Sequence, residues 1–187
     1  LEELLDIVDE NDRVIGQEKR SVVHQSGLWH RGVHVFLFTP DRKLVIQQRS
    51  RRRKHSPGAL DCSVSEHVQA GESYLAGAIR GLEEELGIKQ APLRRVVRFK
   101  MNYGPRDNKI STLYKGAVDR EAIRRDANEV ERVIYGSIAE AEALLAQGEV
   151  SFSRWFEQLL LWYVGKPSEI QVIDPQKEDD HENDNTA

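Results

Sequence analysis

Ser65-Glu66-His67-Val68-Gln69-Ala70-Gly71-Glu72, followed by Arg80-Gly81-Leu82-Glu83-Glu84-Glu85-Leu86-Gly87-Ile88, is the stretch that decides the fold of this chain. Between and within these two blocks, residues 72–87 carry a helical pattern. Leu75, Ile79, Leu82 and Leu86 step by four, three and four, which aligns one apolar stripe along a helix, and Gly87 supplies the stop. At about 100° per residue, positions 81, 84 and 85 fall on the opposite face. The stripe is expected to anchor the helix while Glu84 and Glu85 face hard cations such as Mg²⁺ or Mn²⁺, which take oxygen ligands. Cations held there can bridge diphosphate oxygens and activate water for attack on phosphorus.

Outward from this helix, the chain reads as mixed strands with interspersed helices. Leu4–Asp9 and Arg13–Gly16 flank a Glu-Asn-Asp turn and form an opening hairpin. Val33–Thr39 and Lys43–Arg49 are two strands joined across Pro40-Asp41. A basic loop runs from Arg49 to Pro57-Gly58, and a short strand follows near Leu60–Val64. Val96–Tyr103 and Lys109–Val118 read as strands around Gly104-Pro105, with another at Val133-Ile134-Tyr135. Ser137–Gln147 is a helix with Ser137 as cap, Glu140 completing a capping box and Gly148 as terminator, and Ser151–Val164 is a second, aromatic-rich helix. Trp29, Trp155 and Trp162 are read as core residues, the last two seven apart on one helix face. This alternation implies an α/β layered sandwich.

The length suits one domain, residues 1–165. Hydrophobic content of 39% and charged content of 31% fit an ordinary globular domain, and no run reaches the length of a membrane span. Residues 174–187 hold six acids against Lys177 alone. They account for the net charge of −4 and leave a body near neutrality. The segment 166–187 is therefore expected to be an acidic, disordered tail. The single cysteine, Cys62, excludes a disulfide framework and suits a reducing, cytoplasmic setting. Acids at Glu2, Glu3 and Asp6 interrupt the leading leucines, unlike a secretory signal.

The block at 66–88 resembles the Nudix box: a glycine, five residues, Glu, seven residues, then Arg-Glu-apolar-x-Glu-Glu-x-Gly-apolar. Glu72, Arg80, Leu82, Glu84, Glu85, Gly87 and Ile88 match at the right spacing. The resemblance implies a Nudix-type α/β/α sandwich with a mixed β-sheet, a small-molecule diphosphate substrate, and a magnesium- or manganese-dependent hydrolase. The catalytic set it implies is Glu84, Glu85, Glu72 and Arg80. Within that set Arg80 and Glu72 form the pair that ties the helix to its preceding loop. Two positions depart. Gly81 stands where the family has its first helix glutamate, and Glu66 stands where it has glycine. Either Glu66 replaces the lost carboxylate, giving a metal set of Glu66, Glu84 and Glu85, or the fold persists as a non-catalytic module that binds a phosphorylated ligand or partner.

Leu5-Asp6-Ile7-Val8-Asp9-Glu10, His24 with His30-Arg31, His34–Phe38, Gln47-Gln48-Arg49-Ser50 and Pro57-Gly58-x-Leu60-Asp61 resemble one Nudix branch. It contains isopentenyl-diphosphate isomerases and related hydrolases. In the isomerases, histidines at positions resembling His24, His30 and His67 bind a metal with two later glutamates, and a cysteine acts on the alkene. Here Ser65 stands at the cysteine position, and the later strand is read as offering Asn108 and Ile110. Isomerisation needs an acid and a base across a double bond, so isomerase activity is disfavoured. The three histidines remain a second metal set or structural residues. The basic loop supplies the expected phosphate grip at Arg49, Arg51 and Lys54. It carries no interleaved aromatic residue, which argues against nucleic acid. Glu129 and Glu131 are further candidates for a base or an extra ligand.

Overall fold

Strand His30–Phe38 (β3) organises the molecule because it is buried from both faces. The computed structural model describes residues 2–173. Val33, Val35 and Leu37 join one apolar cluster, while Phe36 joins a second on the other side of the sheet. Such period-two burial on both faces is why the strand reads as a near-continuous apolar run. The elements before it are β1 (Leu4–Val8), β2 (Val14–Lys19) and α1 (Arg20–Ser26). After it come β4 (Leu44–Arg49), β5 (Leu60–Asp61), β6 (Val64–His67), α2 (Tyr74–Leu86), β7 (Leu93–Asn102), β8 (Asn108–Ala117), β9 (Val130–Gly136), α3 (Ile138–Gln147), α4 (Arg154–Tyr163) and β10 (Gln171–Val172).

The sheet is mixed. Its main path runs β10-β7-β8-β3-β1-β2, with β6 also paired to β3, and β4 joining β3, β5 and β9. β3 and β8 run parallel, from His30 opposite Lys109 to Phe38 opposite Ala117, and the other pairs are antiparallel. Helix α2 packs on one face through Tyr74, Ala78, Leu82 and Leu86, whereas α3 and α4 cover the other through Ala141, Phe156, Leu159 and Leu160. The expected α/β sandwich with a mixed sheet is therefore present. Burying Leu82 and Leu86 contributes about 2 kcal/mol each.

Several local expectations shift. β3 and β4 pair only at Phe38 and Leu44 and then diverge to different partners. The single strand expected at Leu60–Val64 is two, β5 and β6. The chain also continues past residue 165 into β10, which pairs with β7 through Gln171–Lys100 and Val172–Phe99. Residues 166–173 are thus part of the folded body, and the acidic stretch 174–187 lies outside the described residues. Among the described residues no helix is long and apolar enough to cross a membrane.

The phase of α2 differs most from its sequence reading. Its N-cap is Ser73, whose side chain accepts from Ala76 N–H, and Gly87 closes it in the left-handed conformation. The buried face consists of Tyr74, Gly77, Ala78, Gly81, Leu82, Glu85 and Leu86, whereas Ile79 is 40% exposed. Gly81 and Glu85 therefore lie on the inner face beside Leu82, not opposite it. The cause is close approach: a Cβ on Gly81 would stand 2.6 Å from Val64 Cγ1 and 2.8 Å from Glu66 Cγ. Gly81→Ala should lower unfolding free energy by about 1–2 kcal/mol, overpacking exceeding the helix-propensity gain of alanine. Adding Val64→Ala should recover part of that loss. Urea denaturation measures both, and an alanine variant as stable as the parent would refute the close packing.

Candidate functional site

A cavity of about 890 Å³ opens on the α4 side of the sheet, between α1, the loop after β4, β6 and the β7–β8 turn. Its lining includes six basic side chains (Arg20, Arg49, Arg52, Arg53, Lys54 and Lys109) against three carboxylates, Glu2, Glu66 and Asp107. That imbalance in a walled cleft favours an anionic ligand.

Of the box, Glu66 and His67 line this cavity, and Glu85 lies behind Glu66. Glu85 is 2% exposed; it accepts from Gln47 Nε2 at 2.6 Å and shares a hydrogen bond with Glu66. Burial, then the neighbouring Glu66 charge, pushes the Glu85 carboxyl well above the ordinary range, and burial also raises Glu66. Two buried carboxyls in contact cannot both ionise cheaply without a cation. That donor set fits a hard divalent ion. Glu66 reaches this place because Gly81 has no side chain: the Glu66 Cγ lies in the space that a side chain at 81 would enter.

Arg80 holds the outer edge. It donates to Glu72 at 2.9 and 3.1 Å, to the His67 carbonyl at 2.7 Å and to Glu84 at 3.1 Å, and it lies 3.8 Å from Glu66. The pairing of Arg80 with Glu72 ties the helix to the loop before it. Glu84 is turned outward to Arg80 with its side chain 55% exposed. Of the three carboxylates expected on one metal, the structure brings Glu66 and Glu85 together and leaves Glu84 beside Arg80.

His24 and His67 line the cavity and converge with the buried His30 behind them, a potential ligand atom from each lying within 4.8 Å of the others. His30 donates from Nδ1 to the Leu28 carbonyl at 3.0 Å. Its Nε2 is thereby left as a lone-pair donor, buried and without a hydrogen bond. Burial first, and Lys109 second, lower its pKa to about 3. His24 and His67 meet through their Nε2 atoms at 3.1 Å. By donor type the trio suits zinc or a similar ion. The charge balance does not, because Asp107, 3.6 Å from His24 and His30, is already paired with the Lys109 ammonium at 3.2 Å. The sequence register placed Asn108 and Ile110 at these positions. The residues facing the histidines are instead Asp107 and Lys109, one place earlier.

Asp61 forms the floor. It is fully buried; its Oδ1 accepts from Cys62 N–H at 2.7 Å, Ser65 Oγ at 3.0 Å, Ser153 Oγ at 3.0 Å and Trp155 Nε1 at 2.6 Å. Its Oδ2 accepts from Arg49 Nη1 at 2.8 Å. Ser65 continues to His34 Nδ1 at 2.9 Å, His34 Nε2 to Tyr103 Oη at 2.6 Å, and Tyr103 to Ser111 Oγ at 2.7 Å. Trp155 stacks on Tyr103 at 5.6 Å and lines the cavity. It was read as core, and Tyr103 was not singled out; only the polar atoms on their rims hint at this role.

The basic loop divides. Arg49 is buried against Asp61 and Arg51 points away, 3.6 Å from Glu131 with its side chain 81% exposed. Lys54 lines the cavity as expected, together with Arg52, Arg53 and His55. Arg53 pairs with Glu129, so Glu129 and Glu131 serve loop cations.

A family model of the NUDIX domain matches residues 28–156, and the chain belongs to the Nudix family, whose members are typically hydrolases that use divalent metals. An isopentenyl-diphosphate Delta-isomerase of Serratia proteamaculans is 40% identical over 99 residues, covering 53% of this chain and 55% of that one. An uncharacterized Nudix hydrolase of Streptomyces coelicolor is 36% identical over 152 residues, covering 81% of this chain and 82% of that one. The crystal structure of a Deinococcus radiodurans protein superposes with a TM-score of 0.72 at 27% identity, covering 84% of this chain and 97% of that one.

Two outcomes follow from the floor network. Asp61→Asn, which strands the Arg49 guanidinium, should cost about 3–5 kcal/mol in urea denaturation; a loss below about 1 kcal/mol would deny it this role. His34 is depressed to about 3 by burial and by Lys109, so it contributes stability that is complete above its ordinary value of 6.5 and declines as pH falls toward 3. His34→Asn should flatten the pH dependence of the urea midpoint across that window, and an unchanged slope would count against it.

Proposed function

We propose that the protein hydrolyses a diphosphate linkage in a nucleoside diphosphate derivative or an isoprenoid diphosphate, using Mg²⁺ or Mn²⁺. The observation that carries this reading is the Glu66–Glu85 pair beside Gly81, in which Glu85 is buried and Glu66 lines a cationic cavity. Glu66 and Glu85 would hold the ion, with Glu84 released from Arg80 as a third carboxylate. The ion would neutralise diphosphate charge and activate water for attack at phosphorus. Arg52, Arg53 and Lys54 would grip the phosphate oxygens, and Arg80 with Glu72 would fix the helix that presents the acids. Gln47 orients the Glu85 carboxyl. Trp155 and Tyr103 would exclude water from the attached group. A single buried cysteine suits a cytoplasmic setting.

Isomerisation is less well supported. Ser65 stands beside His67 without a thiol, and Cys62 is fully buried, its thiol pushed well up by burial. Among the described residues the cavity therefore carries no cysteine thiol beside the histidines.

Release of phosphate from a panel of diphosphates, titrated with Mg²⁺ and Mn²⁺, tests the proposal. Glu85→Gln and Glu66→Gln should each lower kcat/KM by at least about 100-fold. Glu66→Gly with Gly81→Glu and Val64→Ala should restore metal affinity, whereas Gly81→Glu alone clashes with Glu66 and Val64. No turnover and no metal bound would leave a non-catalytic binding module. A metal equivalent that survives Glu85→Gln would place an ion on the histidine trio.

A further inference from the structure

Lys109 enters the cavity from β8 and is 7% exposed. Its stem crosses β3 at Gly32, where a Cβ would stand 3.2 Å from Lys109 Cδ. The ammonium ends 4.6 Å from the Tyr103 ring centre and 5.9 Å from that of Trp155. Asp107 is its acidic neighbour, at 3.2 and 3.3 Å, and the same carboxylate also faces His24 and His30. An ammonium has three donors, and burying one is costly unless acceptors meet it. A single shared carboxylate leaves donor capacity turned toward the cavity.

The position of Lys109 sets what it can meet. Glu66 on β6 pairs with Val33 and Lys109 on β8 pairs with His30, which puts their strands on either side of β3 and their side chains on opposite faces of the sheet, although both line the cavity. A diphosphate gripped at the box and the basic loop would end short of Lys109, and the group attached to it would reach the ammonium between two aromatic faces. A hydrocarbon placed there would leave the ammonium without an acceptor, whereas a carbonyl or anionic oxygen would satisfy it.

We propose that Lys109 reads an oxygen acceptor on the non-phosphate half of the substrate, and so selects nucleoside diphosphate derivatives over prenyl diphosphates. The inference rests on the diphosphate lying where the proposed function puts it. Lys109 is a specificity residue in this account, separate from the groups that would hold metal.

The test is equilibrium binding by titration calorimetry, with the full chain and Mg²⁺ present. The probes are uridine diphosphate, isopentenyl diphosphate and pyrophosphate, each in its methylene-bridged, non-hydrolysable form so that no turnover intervenes. The parent should prefer uridine diphosphate to isopentenyl diphosphate by about tenfold or more. Lys109→Met should bring the two within about threefold, leave pyrophosphate within about threefold of the parent, and lose more of the preference than Lys109→Arg. Lys109→Gln reads the same effect should the methionine variant fail to fold. An unchanged ratio, a parent preference for isopentenyl diphosphate, or an equal loss of pyrophosphate binding overturns the inference. A Lys109-dependent preference without turnover removes the hydrolase and keeps the inference. Turnover with an unchanged ratio does the reverse.

Discussion

The carboxylate of Asp61 has no exposure to solvent and accepts from five donors on four segments of the chain. Arg49 brings the start of the basic loop, Ser65 the strand leading into the box, and Ser153 with Trp155 the first turn of α4. A buried charge is tolerable only when its lone pairs are met, so these segments are held together as a set. The same network continues through Ser65 and His34 to Tyr103 and Ser111. The polar floor of the cavity is thus a consequence of satisfying one carboxylate. It fixes Trp155 over the opening without a large apolar patch.

On the acidic edge, a second constraint operates. Helix α2 approaches β6 so closely that position 81 has no room for a Cβ. Glu66 fills the space from the opposite side, keeping a carboxylate beside Glu85 while moving its point of attachment from the helix to the strand. Arg80 balances the surplus negative charge by touching Glu72, Glu84 and Glu66 together. Glycine at 81 and glutamate at 66 are then one feature, not two defects. That relation favours replacement of the carboxylate over simple loss.

Much of the framework was legible because its signals are periodic or local. The alternation in β3, the hairpin β1–β2 and the Ser137–Glu140 capping box all follow from pattern, and the box spacing located the helix. The phase of α2 was not legible, since hydrophobic spacing selects Ile79, which is exposed, and cannot register glycines buried by close approach. Helix α1 was missed because Lys19, at its N-cap, makes no side-chain cap bond. The reading of Asn108 and Ile110 failed by one residue, and in a strand one residue reverses the face presented. Trp155 and Tyr103 were hidden for a different reason. Trp155 reads as core and Tyr103 as a strand end, and their role comes from partners distant in sequence. That is also why the histidine trio, spread over His24, His30 and His67, could be named but not placed.

The fold alone does not choose among the activities of its relatives, and the choice falls on a few side chains either side of β3. On the β6 side lie the paired acids and the basic loop, an arrangement suited to a diphosphate and a hard cation. On the β8 side stands the Lys109 ammonium with Asp107, and on β6 Ser65 stands where the resembling isomerases have a thiol. A carbocation forming beside Lys109 would meet like charge across a cavity already rich in arginine, an arrangement that low dielectric makes costly. An oxygen-rich group forming hydrogen bonds there meets no such penalty. On the proposed reading, the electrostatics of the inner wall, more than the box, would separate hydrolysis of a polar diphosphate from isomerisation of a prenyl one.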